Sequence, residues 1–212
     1  MFETSSFIIF IMAALVLLIT PGPAVLFIIA RSLKQGRMAG FISALGVGLG
    51  SVIHVIFAAL GLSTLLVQSA LIFGVIKYLG AAYLIYLGIH TLTSKMDTAD
   101  IKNLQKMSYS QIFRQGFIVN LLNPKVALFF LSFLPQFVDP ARGAAAQQII
   151  ILGTVFVGMA ILSDSMYAVV AGTTRQLFSG NLLVARIQKY LAGTIYIALG
   201  FTAIFSGSSQ RK

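Results

Sequence analysis

No cysteine occurs in this chain, which excludes disulfides, thiolate metal sites and thiol relays. Acidic residues are nearly as scarce, 5 against 15 Lys and Arg, so the net charge is +10. Charged residues make up only 9% of the sequence and apolar ones 58%, whereas about a quarter of a soluble globular domain is charged. The only histidines, His54 and His90, lie far apart and suggest no metal cluster. No Gly-x-Ser-x-Gly elbow is present. Ser51 and His54 share a helix face, but that pair alone is too little for an intramembrane hydrolase. The expectation is therefore a protein that is not an enzyme, with no catalytic residue, no metal and no cofactor. A basic nucleic-acid face would need Lys and Arg clustered on a solvated surface. Here they fall in short gaps between apolar runs, as membrane topology dictates, so no nucleic-acid partner is expected. No basic residue precedes Phe7–Ile19 and no Ala-x-Ala-like site follows it. That run is expected to be a retained span rather than a cleaved signal.

What the sequence has in abundance is long apolar stretches. Six can be marked: Phe7–Ala30, Ala39–Leu66, Leu71–Leu92, Gly116–Val138, Ile149–Ala171 and Ile187–Phe205. A bilayer core takes about 20 apolar residues to cross. Without water there, each backbone must satisfy itself as a helix. The fold expected is an all-α membrane protein with six transmembrane helices, a single transporter domain over residues 1–212. A polar loop at 95–111 divides it into half-repeats of about 1–94 and 112–212. Three spans per half make the halves inverted, as in many secondary transporters.

The gaps orient the chain. Arg31, Lys34 and Arg37, then Lys95, Lys102, Lys106 and Arg114, then Arg175, Arg186 and Lys189 fall on one side. Arg142, Arg211 and Lys212 fall on the other. Positive charge stays cytoplasmic, so loop 95–111 is expected inside and both termini outside. Lys77 is expected to anchor span three at an interface.

Spans one and four are interrupted. Thr20-Pro21-Gly22-Pro23 removes two amide hydrogens, so the Leu17 and Ile19 carbonyls are expected to lose their intrahelical donors. Asn123-Pro124-Lys125 breaks span four at a similar depth. Matched breaks in two halves point to a transport site, because half-helices starting there aim amides and a positive dipole end at the cavity. The plainer alternative is that prolines only kink these helices. Lys125 and Asp164 lie inside spans, where either residue type costs roughly 2.5–3.5 kcal/mol at a helix centre. Asp164 is placed roughly 6 Å past the midplane. Lys125 would hold a substrate carboxylate, and Asp164 an ammonium group or a proton. A structural ion bridge between the two is the alternative. His54 is read either as a proton relay or as a hydrogen-bonded packing residue. Asn120 and Asn123 are cavity liners, because amides at membrane depth seek partners. Gly46, Gly48 and Gly50 form no phosphate loop; Gly46 and Gly50 have the spacing of closely packed membrane helices. Tyr78, Tyr83 and Tyr86 are belt or packing residues.

Three motifs together resemble the amino-acid exporters of the LysE/RhtB type. They are Thr20-Pro21-Gly22-Pro23, the stretch Ile76-Lys77-Tyr78-Leu79-Gly80-Ala81-Ala82-Tyr83-Leu84-Ile85-Tyr86-Leu87-Gly88, and Phe113-Arg114-Gln115-Gly116-Phe117 running through Asn120-Leu121-Leu122-Asn123-Pro124-Lys125 to Phe133-Leu134-Pro135-Gln136-Phe137. The resemblance implies six helices, a bacterial inner membrane, and export of amino acids or derivatives such as lysine, homoserine lactone, threonine or leucine. It also implies proton coupling, and a site shaped by Thr20, Pro21, Gly22, Pro23, Asn123, Pro124 and Lys125. Asn120, Asp164 and His54 rest on the residues themselves. The function expected is a secondary transporter exporting amino acids by proton antiport. A passive channel, or an exporter of another small solute, is the alternative. Channels tend to carry rings of like charge, which this sequence lacks. Small-molecule substrate and membrane lipid are the expected partners, and a homo-oligomer is left open.

Overall fold

Backbone placed in hydrocarbon must pair its own polar groups, and helices do this within one segment. The structure is a computed structural model that describes residues 2–20, 22–62 and 106–173, with single positions in 75–93 and 190–201. Among the described residues there is no strand. In chain order the elements are α1 (Thr4–Ile19), α2 (Pro23–Gln35), α3 (Arg37–Phe57, prolonged by a π turn Ala58–Leu62) and α4 (Tyr109–Leu121). There follow α5 (Pro124–Leu128), a π turn Phe129–Phe133, 3-10 turns at Leu134–Phe137 and Pro140–Arg142, and α6 (Ala145–Thr173). α3 with its extension and α6 are each long and apolar enough to cross a bilayer. α1 with α2, and α4 with the segment Pro124–Phe137, qualify as pairs bent by 50° and 45°. The chain is thus an all-α membrane protein. Predicted spans three and six lie mostly outside the described residues, as do Lys77 and Tyr83; their described positions, including Val75, Tyr78, Tyr86 and Tyr190, are helical.

The element order repeats. A bent pair followed by one long helix occurs as α1–α2–α3 and again as α4–α5–α6, with Pro23 and Pro124 each at the first turn after the bend.

Two boundaries differ from expectation, each for a local reason. α4 starts at Tyr109, not Gly116, because Ser108 and Gln111 form a capping box. The Ser108 hydroxyl accepts from the Gln111 amide at 3.3 Å, and the Gln111 side chain accepts from the Ser108 amide at 2.9 Å. α2 continues through Arg31 and Lys34, which the charge pattern assigned to a loop, and stops only at Gly36, whose φ of 90° suits glycine. Arg31 is buried: its guanidinium donates to Gln115 at 3.3 Å and lies 5.6 Å from the Phe27 ring centre.

Two glutamines fix the ends of the bundle. The Gln35 side chain donates to the Met107 carbonyl at 2.8 Å and accepts from the Met107 amide at 2.9 Å, tying the end of α2 to the start of α4. Gln148, fully buried, does the same with Asp139 at 2.8 and 3.0 Å and also donates to the Gly143 carbonyl. Near that second end, Phe10 of α1 packs edge-on against Phe137, 5.4 Å between centroids. Among the described residues Lys34, Arg37 and Lys106 therefore gather at one end and Arg142 at the other; Lys95, Lys102, Arg175, Arg186, Lys189, Arg211 and Lys212 lie outside them.

Packing depends on small residues where helices cross. A methyl group built on Gly50 would sit 3.0 Å from the Phe117 carbonyl oxygen and 2.9 Å from the Asn120 Cβ. On Gly46 it would overlap the Phe113 carbonyl, and on Gly116 it would lie 2.8 Å from the Ser43 carbonyl. α3 and α4 thus touch backbone to backbone, as the Gly46/Gly50 spacing implied. Beyond this seam Phe10, Phe129, Phe130, Phe133, Phe137 and Phe156 form one cluster, with Phe129 stacked on Phe156 at 4.6 Å. Outward-facing Ile9, Met12, Leu162 and Met166 are exposed, a surface suited to lipid rather than water. Gly50→Ala should force α3 and α4 apart and destabilise the protein by about 1–3 kcal/mol. Thermal unfolding of the purified protein in detergent checks this, and an unchanged midpoint would mean the seam is looser than described.

Candidate functional site

The two helix breaks face each other, and each solves the same problem: carbonyls deprived of a helical donor. At the first, Thr20 and Gly22 are extended. The Leu17 carbonyl takes the Thr20 amide instead, at 3.2 Å. The Ile19 carbonyl, which Pro23 cannot serve, accepts the Tyr167 hydroxyl of α6 at 2.6 Å. The Thr20 carbonyl accepts the Lys125 ammonium of α5 at 2.5 Å. So donors from the second bent pair and from α6 complete the break in the first.

At the second break Asn123 caps α5, its side-chain oxygen accepting the Lys125 amide at 3.1 Å. Pro124 takes the first helical position, where a missing amide hydrogen costs nothing. Asn120 bridges to α3, donating to the Val47 carbonyl at 2.8 Å and to the Ser51 hydroxyl at 2.9 Å. His54 Nε2 donates to the Asn120 carbonyl at 3.2 Å, and its ring stacks on Phe130. Ser51 is engaged by Asn120, not by His54, which removes the geometric basis for a nucleophile–base pair there.

Between the breaks lies a cavity of about 30 Å³, lined by Gly22, Ser51, Asn120, Asn123, Lys125 and Asp164 together with apolar side chains from α1, α2 and α6. That is room for about one water. Lys125 is 5% exposed and Asp164 4%. Both line the same cavity. Yet among the described residues Asp164 forms no salt bridge and no hydrogen bond. The ion bridge weighed as an alternative is therefore not formed in this conformation.

The structure brings Gly22, Asn120, Asn123, Lys125 and Asp164 to the cavity wall, with Thr20 joined to it through its carbonyl. Pro23 and Pro124 set the starts of α2 and α5 without lining the cavity. Pro21 lies outside the described residues. His54 sits behind Asn120 as a packed, hydrogen-bonded ring. Ser51 and Tyr167 were not singled out by sequence for this site. Tyr167 lies one helical turn from Asp164, so a shared face was the signal that could have found it.

Residues 15–207 match the family described as LysE type translocator. The chain belongs to that family. A leucine efflux protein of Salmonella typhimurium is 31% identical over 205 residues, covering 92% of this chain and 91% of its own. An uncharacterized membrane protein of Bacillus subtilis, YrhP, is 36% identical over 92% of this chain and 96% of its own. Another from Pseudomonas aeruginosa is 33% identical over 93% and 90%. No solved structure matches. The two prolines, the asparagine cap and the buried lysine are therefore features of a member of a translocator family.

Because Lys125 is committed to a backbone carbonyl rather than to Asp164, exchanging the two should not repair the site. Lys125→Asp combined with Asp164→Lys is expected to leave transport as low as either single change. Full recovery in a transport assay would mean that mutual pairing is all these residues do.

Proposed function

We propose that this translocator is a secondary exporter of amino acids or amino-acid derivatives, driven by inward movement of protons. The observation that carries the proposal is the meeting of two proline breaks at one buried cavity that holds unlike charges and two amide side chains. Thr20, Pro21, Gly22, Pro23, Asn120, Asn123, Pro124 and Lys125 form the substrate site in this reading. A zwitterion fits such a site: the amino ends of α2 and α5 and the charge of Lys125 suit its carboxylate. Asp164 suits its ammonium group, or a proton when the substrate has left. His54 reaches the site only through the Asn120 carbonyl, so the proton role falls first on Asp164.

A cavity of about 30 Å³ is far too small for an amino acid, so the described conformation is closed. Loading requires the two breaks to part, which suits rocking of one half-repeat against the other about the cavity. The half-repeats 1–94 and 112–212 are the bodies proposed to move. The end of the bundle that carries the Asp139–Arg142 turn is the side where both termini are proposed to lie, outside a bacterial inner membrane. The leucine efflux relatives make leucine the first substrate to test.

Cells fed dipeptides should accumulate one or a few amino acids outside when this protein is overexpressed, above a vector control. Asp164→Asn should reach the membrane and fail to concentrate substrate outside. Export by that variant equal to wild type would overturn the proton role. No rise for any amino acid, with protein in the membrane, would overturn amino-acid export and favour another small solute.

A further inference from the structure

We propose that the Thr20 carbonyl and the Asp164 carboxylate form the subsite for a substrate's ammonium group, and that in the empty, closed carrier the Lys125 ammonium stands in for it. The inference rests on the exporter reading and gives its substrate a polarity, with the amino end toward the break in span one.

Three observations meet here. The first is chemical identity: the group on the Thr20 carbonyl is a primary ammonium, the same donor that an α-amino acid carries. The second is that Asp164, more than nine-tenths buried, accepts no hydrogen bond and forms no salt bridge among the described residues. A carboxylate so placed is costly unless a cation or proton compensates it. The third is space. The cavity beside both groups, with Lys125 on its wall, is about 30 Å³, so an amino acid requires the site to widen. Tyr167 stays on the Ile19 carbonyl and holds the break in place as a positioning residue. An incoming zwitterion then displaces Lys125 from Thr20. Its ammonium bridges Thr20 and Asp164, and the released lysine turns to the substrate's carboxylate. When the substrate leaves outward, Lys125 returns to Thr20 and the carrier closes again.

The test uses purified full-length protein reconstituted in liposomes, with leucine exchange as the transport readout. Two competitors each keep one end of leucine: leucinamide has the ammonium without the carboxylate, and 4-methylpentanoate the reverse. Leucinamide should inhibit exchange by wild-type protein and 4-methylpentanoate should not. Inhibition by 4-methylpentanoate alone would overturn the proposal, and this comparison needs no variant to fold. Direct binding of leucinamide to Lys125→Met should then be roughly tenfold tighter than to wild type, since a charge-assisted competitor has been removed. Unchanged or weaker binding to a folded Lys125→Met would overturn the stand-in role, because a lysine that only binds carboxylate or only supports the helix does not compete with an amine. If wild-type protein exchanges neither leucine nor any other amino acid, the exporter reading itself fails, a result distinct from either of these.

Discussion

A carbonyl left without a donor in hydrocarbon has no water to turn to, and the centre of this protein is arranged around that constraint. Prolines in span one remove helical donors at Ile19 and Leu17, and the extended turn strands Thr20. Leu17 takes the Thr20 amide of its own turn, while Ile19 and Thr20 are served by other helices, with a hydroxyl from α6 and an ammonium from α5. A break that could have been a local kink thereby becomes a junction of three elements. The same donors are groups that can be exchanged for others, which a helical amide cannot be. Under the proposed reading, satisfying the backbone and creating a binding site are one act here.

The second break answers the constraint differently. Asn123 caps α5 from within its own turn, and Asn120 spends its donors on α3. It is completed by its own turn and by α3, whose His54 donates to the Asn120 carbonyl that Pro124 cannot serve, while the first break draws on α5 and α6. The glycine seam explains why Asn120 can reach at all. Gly50 lets α3 approach the Asn120 Cβ closely, and with Gly46 and Gly116 it brings the Val47 carbonyl within hydrogen-bond distance of the amide. Substituting a seam glycine would disturb the site as well as the packing, although no seam glycine touches the cavity.

Much of this was legible in sequence because membranes simplify the code. Apolar runs must be helices, prolines must break them, and a lysine or aspartate inside a span must face something polar. The spans, both breaks and the pair Lys125 and Asp164 follow from residue type and position alone. What sequence did not disclose is which donor meets which carbonyl. Lys125 looked like an anion site, and only geometry put its ammonium on Thr20. Tyr167 was hidden among aromatics that usually pack or line an interface. Arg31 was counted as a loop charge, since counting does not reveal that α2 runs on to Gly36 and buries it against Phe27 and Gln115. The capping box at Ser108 was readable but was masked by the polarity of the loop before it.

Placement of Lys125 also bears on how transport is coupled. If the lysine paired with Asp164 in the closed state, the centre would be neutral without help, and the empty carrier could cycle alone and leak. With Lys125 on Thr20 instead, Asp164 is buried beside a cation but bonded to none. In the proposed cycle, closing the carrier favours whatever neutralises that carboxylate at contact: a substrate's ammonium on the outward journey, a proton on the return. Under the proposed reading, a backbone carbonyl that competes for the lysine is what keeps the carboxylate available, and this competition links export of one species to entry of the other.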